Sequence, residues 1–189
     1  MDREEIRQTD IWTLYDQGVT YARMMGLFSD TDLNYRMYNG DQWYGLKMAG
    51  IEPIQYNFIK PIVRYKVGIV MTNLYAINYS SENFEDRAFK PTADRVCKLL
   101  NRKAASIWER DGMDTKLRMV VKDAAINDEG IVYVTWDPVT KMPTNEILNK
   151  TDVYYGNEND ADIQSQPYIL IKKRMPVAEA QDLAERNGV

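Results

Sequence analysis

Apolar residues recur every three or four positions through the first two thirds of the chain, a period typical of α-helices. Residues 4–28 carry such a stripe and predict a first helix. Residues 29–32, Ser-Asp-Thr-Asp, should end it and supply capping oxygens for a short second helix that carries Leu33 and Tyr38. Asn39-Gly40 then predicts a turn, because both residues tolerate a positive φ.

The segment from Asn57 to about Leu74 predicts the next helix. Asn57 is a good capping residue, and Pro61 lies in the first turn, where its missing N–H costs little. Apolar residues occupy nearly every side of this segment, so we expect it to be the most buried helix of the chain. The alternation of apolar and polar residues that follows predicts a short strand near 75–81.

A further helix should run from Pro91 to Arg110. Its inward-facing side chains are predicted to be Val96, Leu99, Leu100, Ile107 and Trp108. Asp111-Gly112 should end this helix, and Asp114 should cap the one that follows.

At Gly130 the period of the pattern changes from helix to strand. Ile131–Trp136 is apolar on both faces and predicts a strand in the centre of a sheet, which Asp137-Pro138 should close. Two more strands are predicted at about 146–155 and 168–174, and a last amphipathic helix at 176–187.

These elements predict an α+β fold in which a mainly helical first two thirds packs on a small β-sheet. We expect residues 1–130 to form the helical portion, with the short strand near 75–81. Residues 131–189 should form the sheet portion with the C-terminal helix. At 189 residues, both portions fit in one domain.

Composition narrows the possible functions. Histidine, the commonest general base and metal ligand, is absent, and the single cysteine, Cys97, excludes an internal disulfide and is expected to be buried and inert. The net charge of −4 argues against a generally basic nucleic-acid binder. The N-terminus has no signal-peptide pattern, and the longest apolar stretch contains Arg64 and Lys66, so we expect no membrane partner.

Aromatic residues are abundant, with 13 tyrosines and four tryptophans. Such residues fill cores or bind partner proteins. We expect Trp12, Trp43 and Trp108 to be core residues, and full burial of Trp43 would make Trp43→Ala cost about 3–5 kcal/mol.

The sequence offers little for catalysis. Asp123, Asp128 and Glu129 cluster before a strand, as nuclease carboxylates do, but no glutamate or glutamine has a lysine two positions later. A Ser-His-Asp triad is impossible without histidine, and glycine-rich phosphate loops are absent from the sequence. We therefore expect no enzymatic activity, no cofactor and no metal.

Two basic groups could contact a partner. Lys172, Lys173 and Arg174 end a predicted strand and are the candidate for contact with a protein or with DNA. Arg64 and Lys66 interrupt the apolar helix, and we expect them to pair with carboxylates or to extend to its edge.

Taken in order, the motifs resemble the N-terminal part of the portal proteins of tailed bacteriophages, and most closely the branch found in short-tailed phages. The series covers nearly the whole chain: Gly-Asp-Gln-Trp at 40–43, Ile-Lys-Pro-Ile-Val-Arg after Asn57, Tyr-Ala-Ile-Asn-Tyr at 75–79, Lys122–Gly130 leading into Ile131–Asp137, and Asp152–Gly156. Its signature residues are Gly40, Asp41, Gln42, Trp43, Asn57, Pro61, Gly130, Trp136, Tyr154 and Gly156.

The resemblance implies a structural subunit of a ring, usually of twelve copies, at one vertex of the capsid. Portal rings pass DNA during packaging and ejection without reading its sequence, and dock terminase, scaffold, capsid and head-completion proteins. This stretch would form the outer wing. The localisation implied is the virion, and the host cytoplasm during assembly.

The sequence departs from the portal pattern because the stem, clip and tunnel-lining segments do not follow Val189. We therefore expect either a fragment of a longer portal or a product that forms no complete channel. Two other interpretations stay open: a stand-alone adaptor or scaffold-binding domain that binds a partner protein, and a metal-dependent hydrolase that uses Asp123, Asp128 or Glu129.

Overall fold

The computed structural model describes residues 10–46, 49–50, 53–73, 78–82, 88–138 and 140–187. The helices in these ranges are α1 (Ile11–Met24), α2 (Leu27–Asn39), α3 (Ile59–Thr72), α4 (Lys90–Arg110), α5 (Met113–Asn127) and α6 (Val177–Asn187). The strands are β1 (Ile131–Asp137), β2 (Met142–Leu148), β3 (Val153–Tyr155) and β4 (Ile169–Ile171). The predicted mainly helical α+β fold is therefore confirmed.

The first helical region is interrupted earlier than predicted. Asp10 caps α1, since its carboxylate accepts from Trp12 N–H over 3.3 Å. The chain then turns at Gly26, where φ is +72°, and residues 29–32 continue inside α2 instead of ending a helix. Glycine adopts this left-handed conformation at no steric cost. The Ser29 hydroxyl donates to Gly26 O over 2.8 Å. The Ser29 side chain is therefore bonded within the first turn of α2.

Helix α3 begins just after Asn57, as predicted, but it is not the most buried helix. Only Val63 and Val67 are buried in it, and they pack with Tyr38 against Val121 and other side chains of the core. The predicted strand at 75–81 lies partly outside the described residues, and residues 78–81 form no strand.

Helix α4 also differs from its predicted burial. It starts with Pro91 in its first turn and ends at Arg110, as the sequence indicated. Val96, Leu99 and Leu100 are exposed, however, and none of its residues is fully buried. Cys97 is half-buried rather than buried. Helix α5 contacts both α3 and α4.

Within the part of the chain that the structure describes, strand β1 is not central in a sheet. Its one pairing among these residues is with β2, as an antiparallel hairpin in which Ile131 lies opposite Leu148 and Asp137 opposite Met142. One face of β1 carries Val134 and Trp136, and both are exposed. Strand β1 is apolar on both faces, but the face that carries Val134 and Trp136 is left exposed to solvent.

The predicted strand at 146–155 is divided into two strands that belong to different sheets. A 3-10 turn at Lys150–Asp152 separates β2 from β3, and β3 pairs antiparallel with β4. The strand predicted at 168–174 is correspondingly shorter. The turn lets the chain leave the β1–β2 hairpin and form a second pair.

The chain divides into two compact units. One contains residues 1–31 and 149–189, and the other contains residues 32–148. In the first, α1 packs on β3. In the second, α5 packs against α3 and α4, and Arg110 and Lys116 donate hydrogen bonds to backbone carbonyls of β2. The boundary near residue 130 stays a prediction. None of the described helices is long and apolar enough to cross a lipid bilayer.

Candidate interaction surface

The polar turn at 40–43 lies against the start of α3. Gly40 has a φ of +89°, and a Cβ at this position would lie 2.9 Å from Asn57 Nδ2. Asn57 joins the two segments, since its Nδ2 donates to Tyr38 O over 2.9 Å and its Oδ1 accepts from Lys60 N–H over 3.0 Å. The sequence-predicted cap is therefore present, and it also holds the end of α2 against the start of α3.

The ring of Tyr38 lies at the centre of this contact. It is buried with Val63 and Val67, and the Nζ atoms of Lys60 and Lys122 lie 5.6 Å and 5.5 Å from its centroid. A cation within about 6 Å of an aromatic face is attracted by the ring quadrupole. The backbone carbonyl and the ring of Tyr38 are thus both engaged in packing contacts, which is a structural role.

The rest of that signature lies nearer the surface. Asp41 is exposed, and its N–H donates to Arg36 O over 2.8 Å. Gln42 and Trp43 are half-buried, and Pro61 is exposed in the first turn of α3. Partial burial lowers the expected cost of Trp43→Ala below the roughly 3–5 kcal/mol of full burial.

The other two tryptophans predicted to be core residues also differ from that prediction. Trp12 is exposed, with its ring edge-on to Tyr15. Trp108 is half-buried, and its Nε1 donates to Asp114 over 2.8 Å. Asp114, which was predicted to cap α5, therefore accepts a hydrogen bond from a side chain of α4. The residue at the N-terminal capping position of α5 is Gly112.

Gly130, just before β1, and Trp136, near the end of β1, have different surroundings. A Cβ at Gly130 would lie 2.4 Å from Val120 O, so the chain passes very close to α5 there. Trp136 is exposed and lies opposite Pro143 of β2. Gly130 is a packing position, whereas Trp136 belongs to the surface.

Among the described residues of the first unit, Tyr154 is the most buried large side chain. It is 2% exposed, its ring meets that of Tyr15 edge-on at 5.4 Å, and its hydroxyl donates to Thr151 O over 3.2 Å. Burial raises the pKa of the Tyr154 phenol. Gly156 follows the strand, and its N–H donates to Tyr168 O over 3.0 Å. These two signature residues are therefore parts of the core around β3 and β4.

The basic group at 172–174 follows directly after β4, and its members make different contacts. Lys172 Nζ lies 2.6 Å from Asp152 Oδ1, and this hydrogen-bonded carboxylate raises the pKa of Lys172. Lys172 and Arg174 line a pocket of about 550 Å³ together with Phe28 and Asp152. Lys173 lines a second pocket, beside Trp12, and Lys172 lines that pocket too. Lys172 therefore contributes to both pockets, and its ammonium is paired with Asp152.

The carboxylates near residue 125 are not gathered into a metal site. Tyr35 Oη donates to Asp123 Oδ1 over 2.8 Å. Burial first, and then the Asp123 carboxylate, raise the pKa of Tyr35 to about 12. Among the described residues, no three acidic or cysteine side chains are placed to hold one ion. Asp128 ends α5 with a φ of 68°.

A continuous apolar stripe on α3 is the largest feature that the sequence interpretation missed. Its residues, at spacings of four, three and four, share one side of the helix: Phe58 (70% exposed), Ile62 (55%), Tyr65 (71%) and Ile69 (52%). We call these four residues the α3 stripe. A second row, Val63 and Val67, faces the core. The sequence did contain this signal, as two apolar rows on one helix.

Comparisons with known protein families, with curated proteins and with solved structures found no match. The resemblance to portal proteins therefore stays a prediction from the sequence.

Proposed function

We propose that this protein is a structural, non-enzymatic subunit of a ring-shaped assembly, the portal at the capsid vertex of a tailed bacteriophage, to which it contributes the wing. The ring would be a homo-oligomer, twelve subunits in portals of this kind. It would pass DNA during packaging and ejection and dock terminase and head-completion proteins. The ordered motif series of the sequence motivates this choice.

The α3 stripe is the observation that supports it. Fully buried aromatic side chains remove about 150–250 Å² each from water, so Phe58 and Tyr65, at about 70% exposure, leave roughly 200–350 Å² in contact with solvent. Ile62 and Ile69 extend this area. Contiguous apolar patches of a few hundred Å² usually mark interaction sites. A subunit whose neighbours cover part of each helix would carry such a surface.

A structural role is also favoured by the engagement of Asp123 with Tyr35, which gives that carboxylate a packing function. The hydrolase interpretation would instead require that the purified protein cleaves a substrate in the presence of added Mg²⁺. That activity would have to be lost in Asp123→Ala or Asp128→Ala. A stand-alone adaptor is the second candidate, since the α3 stripe would serve a partner of another sequence equally well.

The test is the assembly state of the complete product of the reading frame that contains this sequence. Its mass is measured by light scattering after size exclusion, and the particles are imaged by negative-stain electron microscopy. We expect closed rings with one predominant subunit number. A monomer or a compact small oligomer at every concentration would overturn the portal proposal. A terminase gene upstream and a capsid gene downstream would support it independently.

A further inference from the structure

Helices α3 and α6 carry exposed apolar faces of opposite charge. Between Ile59 and Thr72, α3 has three basic side chains and no acidic one. Between Val177 and Asn187, α6 has three acidic side chains and one arginine. The basic residues of α3 are Lys60, Arg64 and Lys66, and the acidic residues of α6 are Glu179, Asp182 and Glu185. The two helices are therefore electrostatically complementary.

The charge of α3 that matters most is Lys66. It is exposed, and it lies one turn after Ile62 and three residues before Ile69, at the edge of the α3 stripe. If the stripe of one copy paired with the stripe of another, two basic helices would meet with their lysines beside the apolar contact. Like charges brought together in an interface disfavour that pairing. Lys66 thus selects an acidic partner.

Helix α6 has the matching surface. Val177 is 74% exposed and Leu183 is 51% exposed, and Ala180 lies on the same side between them. Alanine lets another helix approach closely, and Glu179 is exposed beside this row. The apolar row of α6, with the Glu179 carboxylate at its edge, therefore complements the α3 stripe, which has the Lys66 ammonium at its edge.

We infer that α6 of one subunit docks on the α3 stripe of a second copy, with Glu179 facing Lys66. The inference rests on the proposed function in taking a neighbouring subunit as the partner. Such a contact is head-to-tail, because it joins two different surfaces, α6 of one copy and the α3 stripe of the next. Each of the two copies still has one surface available for a further copy. Contacts of this type close into rings when the rotation permits and otherwise continue as filaments. It therefore names the surfaces that would join adjacent subunits.

The first test is a charge exchange in the 189-residue chain, followed by sedimentation velocity over a range of concentrations at low salt. Lys66→Glu alone and Glu179→Lys alone should each weaken self-association about tenfold, and the double variant should restore it. Lys98→Glu, an exposed change of the same sign on α4, is the matched control and should leave it unchanged. Because these positions are exposed, circular dichroism and melting should match the wild type.

The apolar part is tested with Ile62→Asp, which should abolish the association. Ile54→Asp is its control, since Ile54 is also exposed but lies in a loop outside the α3 stripe. Equal association of the two variants would overturn the inference.

Cysteine cross-linking distinguishes head-to-tail from symmetric pairing. In a Cys97→Ser background, the variant Ile62→Cys is mixed with the variant Leu183→Cys and oxidised. We expect crosslinked heterodimers in the mixture and few homodimers from Ile62→Cys alone. Homodimers of Ile62→Cys in excess, or a chain that stays monomeric at all concentrations, would overturn the inference.

The outcome is separable from that of the proposed function. Rings of the complete product that persist in Lys66→Glu and Ile62→Asp would overturn the α3–α6 contact and leave the portal proposal standing. The complete product could instead form only open filaments whose assembly is lost in the single charge variants and restored in the double variant. That result would support the α3–α6 contact and overturn the portal proposal.

Discussion

Asn57 links the end of α2 to the start of α3 through both polar atoms of its side chain. Its Oδ1 accepts from Lys60 N–H, and its Nδ2 donates to Tyr38 O. The change Asn57→Ala removes both bonds and adds no bulk. It therefore tests whether the segments around 40–43 and 57–68 stabilise the second unit together.

The two losses can be estimated separately. Removing an asparagine cap typically costs about 1 kcal/mol. Losing the bond to Tyr38 O, in a half-buried position, costs about 0.5–1.5 kcal/mol. The sum is about 2 kcal/mol for Asn57→Ala. For a chain of this size, that corresponds to a decrease in Tm of about 4–8 °C.

The variant Asn57→Asp separates the two terms. A carboxylate keeps the acceptor for Lys60 N–H and interacts favourably with the N-terminus of α3, but it cannot donate to Tyr38 O. We expect it to cost about 1 kcal/mol, less than Asn57→Ala.

The assay is urea unfolding followed by tryptophan emission, to which three of the four tryptophans contribute from the second unit. Asn78→Ala, an exposed change outside the helices, is the control and should shift the free energy of unfolding by less than about 0.5 kcal/mol. The reasoning would be refuted if Asn57→Ala unfolded like this control, or if Asn57→Asp cost as much as Asn57→Ala.

Three further predictions concern other packing contacts. Tyr154→Ala should cost about 3–5 kcal/mol of unfolding free energy because the ring is fully buried, whereas Tyr154→Phe should cost about 1 kcal/mol; equal effects in chemical denaturation would contradict this. Gly130→Ala should cost about 1–3 kcal/mol because its Cβ would clash with the α5 backbone, while Gly68→Ala, with open space around it, should be neutral or slightly stabilising in thermal melts. The raised pKa of Tyr35 favours the neutral phenol in the fold, so its contribution to stability is complete below about pH 10 and is lost as the pH rises toward about 12. Stability measured across that window should fall less steeply in Tyr35→Phe, and identical slopes would show that Tyr35 does not contribute.

Local signals in the sequence predicted the elements that local chemistry controls. Asn57 caps α3, Pro61 lies in its first turn, and Asn39-Gly40 forms the turn after α2. The change of period at Gly130 marked the start of β1 correctly. Each of these depends on φ preferences or on hydrogen bonds between residues close in the chain, which a single sequence contains.

The same signals failed where the sequence is compatible with two local structures. Capping residues at 29–32 predicted a helix end, but Gly26 provided the turn and those residues joined α2. One apolar run at 146–155 predicted one strand, but the turn at Lys150–Asp152 divided it between two sheets. Which of two compatible local structures forms depends on pairing partners that the local pattern does not contain.

Burial was the least predictable property, and it is the property that defines the candidate interaction surface. The sequence by itself determined that α3 and β1 are apolar on more than one side. Only the tertiary structure decided that the core covers Val63 and Val67 and leaves the α3 stripe and Trp136 in solvent. Hydrophobic pattern shows which residues gain from leaving water, whereas the packing of α5 against α3 determines which of them the chain covers itself.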